Sequence, residues 1–465
     1  MSEIPGLRIE RRVAAALPPW PDIVAWLRRT DKPTVAAVLA AADRRGVPVV
    51  QPRCGVGDHE RMRELLQAIE AEGRPSVLTL TIDSYTRLKH FRSAAEALRR
   101  DPAGLNGYPL VAHGWRRGRD LDASVRAPLQ VRHGSPDGRE LFAVTLAAGI
   151  TSFEGGGLSY NLPYSKNVPL AVSLEAWRQI DAVCGILADE GVPIDREMFG
   201  SLTGVLVPPA ISLAVCLLEA CSAAAEGVRC VSIAYPQGGE VHQDVAALRA
   251  IRSLAAKYLP ERVAVYPVLH TFMGVFPRTT ATADALIHYA GLTARLGGAV
   301  KVINKTNQEA YGIPDAATNA LGVRTTAMAF TPFLDFVTVD EVRVEEERYW
   351  IEREVAELVD PVLDQADGQR ISAAVEKAFA DGRLDIPFSA SVHARAEVMP
   401  RRDAGGGVRY QNYGRLPFSR ATRRRNEQCL RGAPGGDRLI EAVTADINYF
   451  LAFDRHQDGD DHANS

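Results

Sequence analysis

Apolar residues along this chain follow two alternating spacings. A three-to-four-residue repeat runs through 33–46 (PTVAAVLAAADRRG), 61–73 (RMRELLQAIEAEG), 93–100, 137–149, 244–259 and 282–297, and predicts helices, several of them stopping at a glycine. Short apolar runs predict strands at 47–52, 76–83, 108–114, 128–134, 149–156, 229–237, 262–270 and 299–306. Strands separated by helices imply parallel pairing, because a parallel connection needs a crossover. The expected fold is therefore α/β, a (β/α)8 TIM barrel, with a doubly wound sheet as the main rival. Residues 165–228 read as an insertion after the fifth strand. Past residue 330 the alternation stops: 341–360 and 371–382 predict amphipathic helices, and the glycine-rich 399–410 reads as loop. The domain plan is a barrel with an N-terminal extension over 1–330, a C-terminal extension packed on it over 331–455, and a disordered tail over 456–465.

Composition leaves this picture intact and narrows the partners. The 465 residues carry a net charge of −3, with pI near 6.4, so no basic footprint for nucleic acid or an anionic membrane exists at chain level. The six cysteines form no CxxC pair, which fits reduced thiols in a cytoplasmic protein. The start, MSEIPGLRIERRV, has no apolar signal core. The apolar run 202–218 is broken by Pro208 and Pro209 and closed by Glu219, so it reads as a strand-like run and then a buried helix rather than a membrane span.

The charges change the picture more. Arg53 follows the first predicted strand and Arg87 the second; Arg132 and His133 end the fourth, Glu154 the fifth, His270 the seventh and Lys305 the eighth. In a barrel all of these positions gather at the C-terminal mouth, where barrel active sites form. Guanidiniums clamp carboxylates bidentately, and Glu154 supplies the opposite sign for an ammonium. Three cations and one anion around a cavity suit an acidic amino acid. The segment after Glu154, GGGLSYNLPYSKN, adds three glycines that permit close backbone approach, and two phenols, Tyr160 and Tyr164.

Several chemistries find no motif. No Walker A or GxGxxG run follows a strand, no HExxH occurs, and His133, His242 and His270 lack metal-ligand spacing, so no metal site is expected. Lys305 could form a Schiff base, as in lyases, but Glu309 four residues on reads more readily as its hydrogen-bonding partner.

These residues also carry a resemblance. PRCGVG (52–57), TIDSYTR (81–87), LNG (105–107), VRHGSPDGR (131–139), TSFEGGGLSYNLPYSKNVPL, DREMFGSLTGVLVPP (195–209), HTFMGVFP (270–277), KVINKTNQEAYGIP (301–314) and DIPFSASVHARAEVMPRRDAGGGVRYQNYGRLPF keep the order and spacing of the large (epsilon) subunit of glutamate mutase, or methylaspartate mutase, from about residue 50 to about 420. The resemblance implies a barrel that binds glutamate and interconverts L-glutamate and threo-3-methyl-L-aspartate with adenosylcobalamin. It implies that Arg53, Arg87 and Arg132 hold the substrate carboxylates, that Glu154 meets the amino group, and that His133, Tyr160 and Tyr164 contact substrate. Gly55, Asn106, Pro163, Phe276, Lys305, Glu309 and Ile313 correspond to positions lining the cofactor. No DxHxxG motif occurs in the chain, so the cofactor is expected to be shared with a separate small (sigma) cobalamin-binding subunit, in a two-plus-two assembly around a dimer of this chain.

The chain departs from the family pattern at Phe272, where a tryptophan is usual, at Asn307, Gln308 and Tyr311, and at His113. A mutase of the same type acting on a modified acidic amino acid is therefore an alternative. A Schiff-base lyase and a degenerate amino-acid sensor are rivals from other classes.

Overall fold

The computed structural model describes residues 4–29, 31–201, 206–366, 370–433 and 439–456. Eight parallel strands form the barrel: β1 (Val49–Gln51), β2 (Leu78–Thr81), β3 (Leu129–Arg132), β4 (Ser152–Glu154), β5 (Asp195–Met198), β6 (Cys230–Pro236), β7 (Ala264–His270) and β8 (Lys301–Ile303). Each pairs with the next from β2 to β8, and β8 pairs with β1. The remaining seam, β1 to β2, is joined by the Thr81 amide donating to the Cys54 carbonyl at 2.9 Å. A Cβ at Gly55 would lie 2.5 Å from the Thr81 carbonyl oxygen, so the seam closes only with glycine there.

One principal helix follows each strand: α1 (His59–Gly73), α2 (Trp115–Ala123), α3 (Arg139–Ala148), α4 (Leu170–Asp189), α5 (Pro209–Ala225), α6 (Val241–Tyr258), α7 (Thr280–Gly297) and α8 (Ala316–Ala327). Strand alternation sends Leu78, Leu80, Leu129, Val131, Phe153, Val231, Ile233 and Val302 out against this helical ring, where all are buried. Residues of the other parity, Gln51, Thr79, Gln130, Arg132, Ser152, Glu154, Asp195, Glu197, Ser232, His270 and Lys301, point inward. Bonds between strands that are not neighbours prove it: Glu197 on β5 meets Gln130 and Arg132 on β3, His270 on β7 and Lys301 on β8. The barrel interior is thus largely polar, with Ala234, Val268 and Ile303 as a small apolar patch of the same parity, and the main apolar core is the annulus around it.

Past the barrel, α9 (Glu341–Gln365) packs across α5 and α6, and α10 (Ile371–Asp381) across α4 and α5. A hairpin of β9 (Met399–Arg402) and β10 (Val408–Asn412) follows, then α11 (Arg420–Cys429) and α12 (Leu439–Ile447).

Three expectations are corrected. Residues 108–114 are not a strand: Tyr108 makes one parallel bridge to Ile82, Pro109 has no amide to continue a ladder, and Leu110–His113 turn into a short helix. Residues 165–228 are not an insertion but an ordinary unit, α4–β5–α5, whose strand DREM carries too many charges to look buried. The two errors cancel, so the count of eight stands. Residues 399–410 form most of the hairpin; Asp403 accepts from the amides of Gly405 and Gly407 and from Arg409, and Gly406 takes a positive φ of 93°. The tail reading falls almost wholly on 457–465, and part of the strand-like run on 202–205, both outside the described residues. No described helix is long and apolar enough to cross a membrane. The cysteines are unpaired thiols, and five are buried.

The α4–β5–α5 unit depends on close helix contact. A Cβ at Gly185 of α4 would lie 2.1 Å from the Glu226 carbonyl oxygen just past α5. Gly185→Ala is expected to destabilise the fold by about 1–3 kcal/mol, seen as a lower urea midpoint with unchanged slope.

Candidate active site

The polar interior opens at the C-terminal ends of the strands, and the predicted charged residues gather there. Arg53, two residues past β1, and Arg87, at the end of the helical turn Ser84–Arg87 after β2, are half-buried. Neither guanidinium makes a hydrogen bond or ion pair with another described residue. Both act electrostatically on the Tyr164 phenol together with Glu154 and Arg132, which places all four charges around one ring. Burial, then Glu154, push that phenol up.

Arg132 is different. It is buried, with Nη2 on Glu154 Oε1 at 2.5 Å and Nη1 on Glu197 Oε1 at 3.1 Å. Tyr160, fully buried, donates its hydroxyl to Glu154 Oε2 at 2.5 Å. Burial pushes the Glu154 carboxyl up to about 8 against the pull of Arg132, with Glu197 reinforcing the rise. Glu154 is therefore an acid whose charge waits on its surroundings. A second cation beside it, such as an ammonium, favours the carboxylate.

His133 follows Arg132 and lies flat against Trp177, ring centroids 5.7 Å apart. Its Nδ1 accepts from the Ser135 amide at 3.1 Å, which leaves Nε2 as the N–H. Burial, with Arg196 and Arg87 nearby, pushes the imidazole well below its ordinary value, so it is neutral.

The loop after Glu154 owes its glycines to packing. Gly155 has φ +110°, and a Cβ there would strike the Tyr160 ring at 2.3 Å; one on Gly156 would lie 2.2 Å from the Glu219 carboxylate. Glu219 of α5 accepts from the amides of Leu158 and Ser159, each at 2.8 Å, and from the Ser159 hydroxyl. Arg196, on the outer face of β5, donates to the Gly155 carbonyl at 2.8 Å and to Asp181 of α4 at 2.8 Å. The glycines make room for these supports.

The expected cofactor-lining residues divide. Lys305 and Glu309 form an ion pair at 2.6 Å after β8, and the ammonium lies 5.8 Å from the Phe276 ring centroid. Burial, opposed by Glu309, lowers the Lys305 pKa. Pro163 lies at the mouth between the two tyrosines, and Ile313 is exposed beside Tyr311. Gly55 sits at the seam. Asn106 accepts from the Ser84 amide at 3.1 Å, fixing the turn that carries Arg87. The departures have local partners: Phe272 packs edge-on against Phe450 at 4.7 Å, Asn307 donates to Asp284, and His113 stacks on Tyr108 at 4.4 Å.

Sequence reasoning missed Glu197 and Lys301 and left His270 without a role. Glu197 Oε1 takes Arg132 and His270; Oε2 takes Lys301 at 2.6 Å and Gln130 at 3.0 Å. Burial alone would raise this carboxyl, but Lys301, the His270 N–H and Arg132 hold it well below its ordinary range. Glu154, Glu197 and His270 present ligand atoms within 4.8 Å of one another, yet Arg132 already bridges the two carboxylates. The one available signal was the alternation of Asp195 and Glu197 across a four-residue segment.

The comparisons agree on kinship. The sequence model of a family described as Methylaspartate mutase E chain (MutE) matches residues 30–438. A protein of Halobacterium salinarum named glutamate mutase epsilon subunit is 45% identical over 393 residues, 84% of this chain and 82% of its own. Proteins of the same name from Haloarcula marismortui and Desulfitobacterium hafniense are 43% and 40% identical, over 82% of this chain and 78% and 80% of theirs.

Glu219 makes the loop's support testable by pH. Burial pushes its carboxyl from 4.5 up to about 7, against the amides of Ser159 and Leu158. The folded pKa is raised, so its stabilising contribution is complete below the unfolded value and is lost as pH rises through about 7. Glu219→Gln keeps an oxygen for the amides and cannot ionise. The variant is expected to lose a pH-dependent fall of about 1.4 kcal/mol per pH unit across that window, read by urea unfolding at stepped pH.

Proposed function

The chain belongs to the methylaspartate mutase E chain family, whose members are isomerases, and we propose that it is the large catalytic subunit of an adenosylcobalamin-dependent glutamate mutase. On this reading it interconverts L-glutamate and threo-3-methyl-L-aspartate in the cytoplasm. Residues 1–330 would be the substrate-binding barrel with its N-terminal extension, and 331–455 a C-terminal extension packed on it.

The observation that carries the proposal is the pair of unpartnered guanidiniums. Half-buried arginines at a barrel mouth normally pair with a carboxylate, yet among the described residues Arg53 and Arg87 make no ion pair, while Arg132 makes two. They are suited to take the two carboxylates of glutamate as charge-assisted pairs, with Arg132 completing the claw. Glu154 then receives the substrate ammonium and holds its charge there, oriented by Tyr160. His133, neutral with its proton on Nε2, and Tyr164 offer hydrogen-bond donors to the same substrate. Clamping both carboxylates holds each end of the molecule while its carbon skeleton is cut and rejoined.

The mouth also fits the cofactor. Tyr85, Leu88, Tyr164, Val275, Tyr311 and Ile313 are exposed large apolar side chains on the loops after β2, β4, β7 and β8, an apolar rim around a polar well. Such a rim suits a broad flat ring lying over the well, with Gly55, Asn106, Pro163, Phe276 and Ile313 near it. The Lys305–Glu309 pair offers a donor and an acceptor to a ribose. When bound, adenosylcobalamin supplies the radical that takes a hydrogen atom from substrate carbon. The chain's own part is to bind, orient and exclude water. A separate small subunit bearing DxHxxG would share in binding the cofactor, in an assembly of two copies of each chain.

The purified chain, mixed with such a small subunit, adenosylcobalamin and L-glutamate, is expected to yield 3-methylaspartate by NMR. No product with a competent small subunit overturns the proposal. Glu154→Gln is expected to lower kcat/KM by about 10- to 100-fold, the loss of one charged hydrogen bond, without altering assembly by size-exclusion chromatography.

A further inference from the structure

We propose that Glu197, neutralised by Lys301, is a positioning residue that fixes both the Arg132 guanidinium and the His270 tautomer, and that this leaves His270 Nδ1 as an additional acceptor for the substrate. The inference rests on the glutamate mutase reading and extends it to residues outside the arginine claw.

The geometry begins with a saturated carboxylate. Glu197 is completely buried and takes four donors: Arg132 Nη1 at 3.1 Å and His270 Nε2 at 3.1 Å on Oε1, Lys301 Nζ at 2.6 Å and Gln130 Nε2 at 3.0 Å on Oε2. Those donors come from β3, β7 and β8, so one carboxylate ties three other strands together across the interior. Four donors, the Lys301 ammonium and the Arg132 guanidinium among them, keep it ionised.

An ionised carboxylate only accepts, so His270 must donate from Nε2. Burial, with Arg132 and Arg53 nearby, pushes the imidazole down to about 3 against the pull of Glu197, so the ring is neutral and the other nitrogen, Nδ1, carries a lone pair. It is buried and has no partner among the described residues. Phe199 packs edge-on against the ring at 5.5 Å and holds its plane. A buried acceptor without a donor is costly unless something supplies one. Arg53 and Arg132 both act on this imidazole, which places it within the claw. A substrate N–H is the donor this site lacks.

Arg132 shows the second consequence. Its Nη1 edge is fixed by Glu197 Oε1 and by Gln130 Oε1 at 3.3 Å, and a planar guanidinium fixed along one edge has its remaining N–H directions set as well. The same contact divides Arg132 between two carboxylates. Without it, Arg132 has only Glu154 as a carboxylate partner and binds it fully. Glu197 thereby keeps Glu154 available for an ammonium.

Two variants separate positioning from charge balance. Glu197→Asp keeps the charge opposite Lys301 and withdraws the oxygens by one methylene. Glu197→Gln combined with Lys301→Met removes both charges together. Each is reconstituted with the small subunit and adenosylcobalamin and assayed with L-glutamate, and 15N-histidine NMR reads the His270 tautomer in the chain. Both variants are expected to lose about 10- to 100-fold in kcat/KM and to show a mixed or exchanged tautomer at His270. A folded variant with wild-type turnover and an unchanged tautomer overturns the proposal, because charge balance alone then accounts for Glu197. If the wild-type chain itself makes no 3-methylaspartate, the function reading fails, while the tautomer measurement still decides whether Glu197 positions His270.

Discussion

The arrangement at the mouth depends on one buried ion network. Inside the barrel, Lys301 and Arg132 face Glu197, Glu154 and Asp195, which is two cations against three carboxyls. Buried charges are tolerated only when paired and hydrogen-bonded, and Glu197 meets that condition with four donors. Burial raises the carboxyls of Glu154 and Asp195, so the unmatched charge is relieved by a proton on this part of the network. The barrel thus closes around more carboxyls than cations, with Glu154 and Asp195 the two whose protons burial favours. Arg53 and Arg87 make no ion pair with a described residue and act only through space, Arg53 on Glu154 and Arg87 on Asp83.

The loop from Glu154 to Tyr164 translates this network into shape. It leaves β4 with a left-handed glycine, folds Tyr160 back onto Glu154, and rests on Glu219 and Arg196 from the next unit. Glycine is needed because supporting groups occupy the space of a side chain. An acidic residue on α5 and a basic one on β5 thus brace the loop that brings Tyr160 back onto the site's carboxylate.

The ring of strands was legible because outward-facing residues are apolar enough to give a periodic signal. So was the clustering at the mouth, since topology alone sends strand ends to one face. What escaped shares a cause. Asp195, Arg196 and Glu197 are successive charges, and a pattern-based reading takes three such residues for a solvated loop. Their burial is possible because Lys301, Arg132, His270 and Asp181 come from elsewhere in the chain to meet them. Conversely, 108–114 looks like a strand because it is apolar, but Pro109 ends the pairing after one bridge.

By itself the sequence determined the alternation of helix and strand, the family, and the residue types gathered at the mouth, because these follow from local periodicity and from motifs contiguous in the chain. Only the tertiary structure decided which arginine is committed and which two make no ion pair among the described residues, which strand completes the barrel, and why the glycines are there. Those answers depend on groups brought together from separate strands and helices, as Lys301 meets Glu197 from 104 residues away, and no local pattern records such partnerships.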